Sequence, residues 1–215
     1  VEDYLKKGFL PEALINFIVF LGWNPGDNRE IFSINGLISE FSLSRIQSGG
    51  AVFDKEKLSW MNAQYIKKLS TKKLIEYSSP FIKLDIDKHD PKFYNAMDLA
   101  KNRVADLTEL ENEIKYFYIY RINNQLDKSL LYEDSSQLLF KFWLSKFMKK
   151  NSWSIEEINS LISVTDKELG IKGKNLFFPI RLAIYGDCKG PDIPSIYNVL
   201  GADEIINRLK AVIKG

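Results

Sequence analysis

Six arginines are the side chains best equipped to do chemistry in this chain: Arg29, Arg45, Arg103, Arg121, Arg181 and Arg208. A guanidinium presents a planar fork of donors that fits a phosphate or the edge of a nucleobase, whereas a lysine offers a point charge. Tyr116, Tyr118 and Tyr120 lead into Arg121 and could stack on bases, although packing between helices is the simpler use of such rings. The rest of the repertoire is thin. One cysteine, Cys188, and one histidine, His89, cannot build a Cys/His zinc site or an internal disulfide. A Walker-type phosphate loop, a GxGxxG turn, HExxH and CxxC are all missing. The densest acidic cluster, Asp85, Asp87 and Asp90 around His89, lacks the ligand spacing of a calcium loop and reads as a solvated connection. No catalytic constellation emerges, and the metal expectation is none.

Composition sets the frame for those residues. The chain has 215 residues, 45% hydrophobic and 27% charged, which is the make-up of a folded globular protein. Thirty basic residues nearly balance twenty-eight acidic ones, for a net charge of +2, and this excludes a polycationic tail. It does not exclude nucleic-acid binding, because a folded domain can gather its basic residues on one face. The longest apolar stretch, 13–21, contains Asn16 and is about half the ~20 residues that a membrane span needs. The opening Val1-Glu2-Asp3 resembles neither a signal peptide nor an initiator, so the sequence reads as a piece of a longer protein.

The elements that must position the arginines read as helices almost throughout. Pro11 suits a first turn and Gly22 an end, with a mostly apolar run between them. Asn24-Pro25-Gly26-Asp27 is a turn, 33–42 a short helix, and Ser48-Gly49-Gly50 a flexible break. Asp54 reads as an N-cap ahead of Leu58, Met61, Tyr65, Ile66 and Leu69, which mark one apolar face. Further helices are expected from Ser70 to near Pro80, from Asp90-Pro91 to about Arg103, over 109–120 and over 135–150. Ser154 and Glu157 have capping-box spacing, opening a helix that ends near Gly170. Three more follow, near 179–185, 194–200 and 202–213. The fold class is therefore all-α, in three successive modules of residues 1–68, 69–128 and 129–215.

Three stretches carry a family resemblance. The first is Gly8-Phe9-Leu10-Pro11-Glu12-Ala13-Leu14-Ile15-Asn16, continuing through Leu21-Gly22-Trp23-Asn24-Pro25-Gly26-Asp27-Asn28-Arg29-Glu30. The second is Ala51-Val52-Phe53-Asp54-Lys55-Glu56-Lys57-Leu58-Ser59-Trp60-Met61-Asn62-Ala63-Gln64-Tyr65-Ile66. The third is Pro179-Ile180-Arg181-Leu182-Ala183-Ile184-Tyr185-Gly186, with Gly190-Pro191 and Leu200-Gly201 beyond it. In order and spacing they resemble bacterial glutamyl-tRNA synthetase, a class I aminoacyl-tRNA synthetase, over essentially the whole chain. The resemblance is to the C-terminal half: a stem-contact helical region, 1–68, followed by a two-part anticodon-binding domain. The HIGH and KMSKS signatures do not occur in this sequence. The resemblance thus implies that ATP, Mg2+ and the glutamylation chemistry belong to another part of the longer protein, and that this chain alone has neither cofactor nor catalytic activity.

The resemblance also implies a set of site residues. Arg103, in Lys101-Asn102-Arg103-Val104-Ala105-Asp106-Leu107, matches a family arginine that reads the third anticodon base and helps separate glutamate tRNA from glutamine tRNA. The plain alternative is an exposed arginine paired with Asp106 at i+3. Arg181 matches an arginine that contacts the other anticodon bases; its alternative is a helix-surface residue holding the last turn. Gly190, Pro191 and Ile193 fall in the segment that lines the same pocket, or else form an ordinary helix-joining turn. Pro194 stands where some members carry an aromatic. Arg29, Arg45, Lys55 and Lys57 are weaker candidates, for tRNA phosphates, which position but do not specify. Trp60 and Tyr65 read as structural, and Asn62 as a cap or bridge between helices.

The expected partner is tRNA(Glu), with tRNA(Gln) also open. Neither DNA nor membrane is expected, and the expected state is a cytoplasmic monomer. A non-catalytic helical protein–protein interaction module of synthetase-like architecture is the alternative, and the near-neutral charge is its support.

Overall fold

The computed structural model describes residues 2–47, 49, 52–122 and 125–214, with no side-chain description for 125–127. Ser48 and Gly50 of the expected flexible break, Ala51 of the second motif and Asn124 of the expected second joint lie outside the described residues. The described residues are helical with no named strand, as the sequence implied; an isolated antiparallel bridge pairs Trp23 with Ile46. No helix is long and apolar enough to cross a membrane. The chain divides into two compact units, Val1–His89 with Met97–Ile114, and Asp90–Ala96 with Lys115–Gly215. The stretch 69–128, expected as one module, is shared between them.

In the first unit, α1 (Glu2–Lys6) precedes the first helix that the sequence signalled, and α2 (Pro11–Gly22), α3 (Ile34–Glu40), α4 (Lys55–Lys68) and α5 (Thr71–Ser78) follow their sequence signals. Pro11 sits in the first turn of α2, where its missing N–H costs nothing. Ser33, Asp54 and Ser70 cap α3, α4 and α5 by accepting from Gly36, Lys57 and Lys73 N–H groups. Packing of α2 on α4 buries Phe9, Leu14, Phe17, Leu58 and Met61 as one cluster. Trp23, Phe32 and Leu37 form a second. Trp60 departs from expectation, being 44% exposed. The inward stripe of α4 runs through Leu58, Met61, Asn62, Tyr65 and Ile66, and position 60 falls off that 3.6-residue period.

Beyond α5, α6 (Pro91–Ala100) ends three residues short of Arg103, and a 3-10 turn (Leu107–Glu109) leads into α7 (Leu110–Tyr118). The second unit then contains α8 (Gln125–Leu131), α9 (Asp134–Phe147), α10 (Ile155–Leu169), α11 (Lys174–Tyr185) and α12 (Ile193–Val212). The sequence reading placed a joint where α8 lies. This seven-residue helix shows little apolar periodicity and is held by packing on α9 and α11. The capping box of Ser154 and Glu157 forms as its spacing implied. α11 begins five residues before Pro179, which lies inside the helix. Its missing N–H would have bonded the carbonyl of Asn175, an exposed residue whose carbonyl water can reach. α12 is broken at Gly201 (φ 74°), so the two helices expected there are two arms of one kinked element.

Candidate nucleic-acid interface

Arg103 sits on a turn whose main chain is bonded at nearly every step. Lys101, Asn102 and Arg103 N–H groups donate to the carbonyls of Met97, Leu99 and Ala100. Ala105 N–H donates to Glu109 Oε2 at 2.7 Å, and Ala105 carbonyl accepts from Asn62 Nδ2 at 2.6 Å. Leu107 N–H donates to Gly8 carbonyl at 3.0 Å. Asn62 is wholly buried and also accepts from Leu10 N–H at 2.8 Å, so it bridges as the sequence reading expected. Val104 is buried beneath the turn. The Arg103 side chain donates from Nε to Glu113 Oε2 at 2.6 Å. Asp106, its partner in the plain alternative, is otherwise engaged: Oδ1 accepts from both the N–H and the hydroxyl of Thr108.

Arg181, in the second unit, projects from α11 and organises the loop that follows it. Nε donates to Pro191 carbonyl at 2.9 Å and Nη1 to Cys188 carbonyl at 3.1 Å. The loop has further ties of its own. Asp187 accepts from Lys189 N–H, and Asp192 caps α12 by accepting from Ser195 N–H. A Cβ at Gly190 would lie 2.7 Å from the Tyr185 ring, so only glycine lets the chain pass there. Arg181, Gly190 and Pro191 are thus brought together as one folded loop. Pro191 is buried and Ile193 is 1% exposed, so both face the core beneath it. Pro194, in the first turn of α12, is buried too.

Arg29, Arg45 and Lys57 gather in the first unit, where Arg29 and Lys57 line a cleft of about 470 Å³ with Trp23, Pro25, Asp27 and Gln47. Their charges are largely answered locally. Arg29 bonds Asp27 and, through two nitrogens, Glu40. Those hydrogen bonds push the guanidinium pKa above its ordinary value, and the Arg29 bond holds the Asp27 carboxyl below its own. Lys57 pairs with Glu30 at 2.7 Å, and Arg45 donates to the carbonyl of Pro25. Lys55 is exposed in the first turn of α4.

Arg208, one of the six arginines but given no site role from the sequence, is almost wholly committed within the fold. Only 4% exposed, it donates from Nε to Glu204 at 2.7 Å, from Nη1 to Tyr116 and Ile184 carbonyls, and from Nη2 to Phe117 carbonyl. Its guanidinium carbon lies 4.8 Å from the centre of the Tyr120 ring. Burial pushes the Tyr120 phenol up to about 12, against the opposing pull of Arg208. The i,i+4 spacing of Glu204 and Arg208 was the available signal. Tyr120 and Tyr116 pack as expected: Tyr120 donates to Ala183 carbonyl at 2.6 Å, and Tyr116 meets Tyr185 at 4.8 Å between ring centres. Tyr116 also lines a pocket of about 220 Å³ with Lys115, Ile119 and Arg121. Among the described residues, no three His, Cys, Asp or Glu side chains gather to hold a metal ion.

Comparison with known proteins gives this geometry its context. Residues 56–213 match the family model described as an anticodon binding domain, and residues 1–60 match that of the catalytic domain of class I tRNA synthetases for E and Q. The chain therefore includes part of what that catalytic-domain model covers, where the sequence reading saw only a stem-contact region. Glutamate–tRNA ligases from Natranaerobius thermophilus and Carboxydothermus hydrogenoformans are each 32% identical to it, over 99% and 97% of the chain. The chain spans less than half of those relatives, 46% and 45% of their lengths. A crystal structure of a glutamate–tRNA ligase from Elizabethkingia meningosepticum, in complex with its amino acid, superposes with a TM-score of 0.81 at 27% identity. That match covers 97% of this chain and 42% of the other. The glutamate–tRNA synthetase of Elizabethkingia anophelis gives 0.76 at 28%, covering 99% and 42%. With its family model matched over most of its length, the chain belongs to the anticodon-binding domain family, as the part found in glutamate–tRNA ligases.

Proposed function

We propose that this chain is the tRNA-recognition part of a cytoplasmic glutamate–tRNA ligase, and that it reads the anticodon of tRNA(Glu) while the rest of the longer protein activates and transfers glutamate. The observation that carries this reading is the anticodon-binding match across residues 56–213, a span that holds both Arg103 and Arg181. Unstacked anticodon bases need donors for their edges and a firm surface to lie on. Arg103 on its bonded turn supplies the first. The Arg181 loop supplies the second, with Arg181 and the half-buried Gly190 backbone at the contact surface and Pro191 and Ile193 holding it from beneath. Binding energy gathered this far from the chemistry raises selectivity by adding to transition-state stabilisation.

ATP and Mg2+ are assigned to the remainder of the protein. The chain by itself is accordingly inactive in glutamylation. Arg29, Arg45, Lys55 and Lys57 contribute at most phosphate contacts, weakened by the carboxylates beside Arg29 and Lys57. Charging of tRNA(Gln) depends on positions around Arg103 and on the tRNA itself.

The test is binding of the monomeric chain to unmodified glutamate tRNA and glutamine tRNA over a salt series. Wild type should bind with a salt slope set by its phosphate contacts. Arg103→Ala should lose about 1–3 kcal/mol of discrimination at the third anticodon base while leaving that slope in place. Equal loss for both tRNAs would remove Arg103 from base reading. Absence of binding at low salt, in this chain and in the longer protein alike, would sink the tRNA assignment.

A further inference from the structure

We infer that Glu113 is the positioning residue for Arg103: it fixes the guanidinium through Nε and leaves the Nη pair as the fork that meets the base. This inference rests on the base-reading role proposed for Arg103. The turn from 101 to 107 is held by its own backbone bonds, by Asn62 and by the Gly8 carbonyl, so the Cα of Arg103 has a fixed place. That leaves the long side chain as the mobile part, and an arginine holds about 2 kcal/mol of rotamer entropy that must be lost on binding. Glu113, one turn into α7, removes that freedom in advance. Its Oε2 lies 2.6 Å from Nε, and the two side chains are 27% and 35% exposed, so the pair is shielded while the arginine stays reachable.

The choice of nitrogen is the informative point. A carboxylate that bridged Nη1 and Nη2, as Glu40 does on Arg29, would occupy the fork itself. Glu113 takes Nε instead, and among the described residues the Nη atoms of Arg103 make no other hydrogen bond. One edge of the guanidinium is anchored and the other remains for a planar acceptor pair, the arrangement that two parallel bonds to a base edge require. Arg29 and Arg103, both of this unit, thus differ in kind. Arg29 is closed by its carboxylates, whereas Arg103 is aimed by its own.

The experiment measures affinity for glutamate tRNA and for the same tRNA with its third anticodon base replaced, with melting temperature and salt slope followed for every variant. Glu113→Ala should cut discrimination roughly tenfold, within the range of one bidentate base contact, and leave the salt slope unchanged. Glu113→Gln keeps an oxygen that can accept from Nε and should stay within about threefold of wild type. It also serves as the near-isosteric variant should alanine perturb folding. Arg103→Ala/Glu113→Ala should discriminate no worse than Arg103→Ala alone, because Glu113 acts through the arginine. If Arg103→Ala abolishes discrimination and Glu113→Ala does not, the positioning role falls and the base-reading role stands. If Arg103→Ala changes nothing, both fall. Tighter binding of both tRNAs by Glu113→Ala would overturn the inference by making Glu113 a competitor for Arg103. Equal loss in Glu113→Gln and Glu113→Ala would overturn it by making the effect one of charge.

Discussion

The two units solve the same problem, unsatisfied backbone in a buried place, and the second adds a chemistry that the first does not use. The first unit uses neutral amides. Asn62 accepts from Leu10 N–H and donates to Ala105 carbonyl, while Asn16 donates to Glu30 carbonyl and accepts from Phe32 N–H and the Tyr65 hydroxyl. The second unit has a buried amide too, Gln137, which donates to the Leu131 and Val212 carbonyls and accepts from Lys214 N–H, and it adds one buried cation, Arg208, on three carbonyls. The difference follows from what the backbone leaves over. Irregular connections such as 8–10, 30–32 and 104–107 leave N–H and C=O groups alike, and an amide side chain can both donate and accept. Helix ends leave carbonyls alone, and Tyr116, Phe117 and Ile184 lie in the last turns of α7 and α11. A donor-only cation fits there, and the negative end of each helix dipole favours its charge.

The strongest way to break this comparison is to remove the cation. Arg208→Met keeps much of the apolar volume and leaves three carbonyls without donors. It should cost about 3–5 kcal/mol, the range for breaking a buried charged network. Urea denaturation gives the size, and hydrogen exchange should show faster opening across 115–214 than in the wild type. A loss under about 1 kcal/mol, no more than an ordinary hydrogen bond, would mean that water replaces the guanidinium and that Arg208 is no hub. Arg208→Lys retains the charge but not the fork and should fall between the two.

The amide side of the comparison predicts a smaller effect. Asn62→Ala strands one donor and one acceptor, both neutral, and should cost about 2–3 kcal/mol, seen in urea denaturation with the protected amides of 9–68 opening first. Asn62→Asp distinguishes bonding from packing. It keeps the acceptor for Leu10 but places a carboxylate in a dry site facing the Ala105 carbonyl. Burial raises that carboxyl's pKa above its unfolded value, so the variant's stability is present at acid pH and lost as pH rises. A pH-independent cost would show that water reaches position 62.

Much of this was legible in the sequence, and the failures share a cause. Caps at Ser33, Asp54, Ser70 and Ser154, the turn at Gly26 and the break at Gly201 were readable because each depends on residues within four positions. Arg208 was visible as an i,i+4 partner of Glu204, but its carbonyl partners lie 24, 91 and 92 residues away. Likewise the Arg103–Asp106 pair of the plain alternative is the local solution, and the structure uses Glu113, ten residues on, because Asp106 is held by Thr108. Ile193 was placed in a binding pocket because its neighbours carry that motif, whereas its burial depends on how α12 packs against α11. Local chemistry was readable; the assignment of long polar side chains to distant backbone was not.

Glycines sharpen the comparison at its smallest scale. Gly8 and Gly170 both have positive φ, 80° and 67°, so alanine meets a similar backbone penalty at each, about 1 kcal/mol. They differ in what surrounds them. A Cβ at Gly8 would stand 2.7 Å from Leu107 N and 2.8 Å from Thr108 N, while nothing lies within 4 Å of one at Gly170. The first is a close approach between a turn and the start of a 3-10 helix, the second an exposed helix end, so each glycine belongs to its unit's way of settling backbone. Gly8→Ala should therefore cost about 2 kcal/mol, the backbone penalty plus strain from a forced shift, and Gly170→Ala about 1. Thermal unfolding of the two variants gives the difference. The shift matters beyond stability, because the atoms that must move belong to the 104–108 segment just after Arg103. Gly8→Ala should weaken third-base discrimination at a temperature where the protein is still folded, and Gly170→Ala should not. Equal discrimination in both variants would show that the Arg103 turn keeps its place without the Gly8 contact, leaving Asn62 and the turn's own hydrogen bonds to hold it.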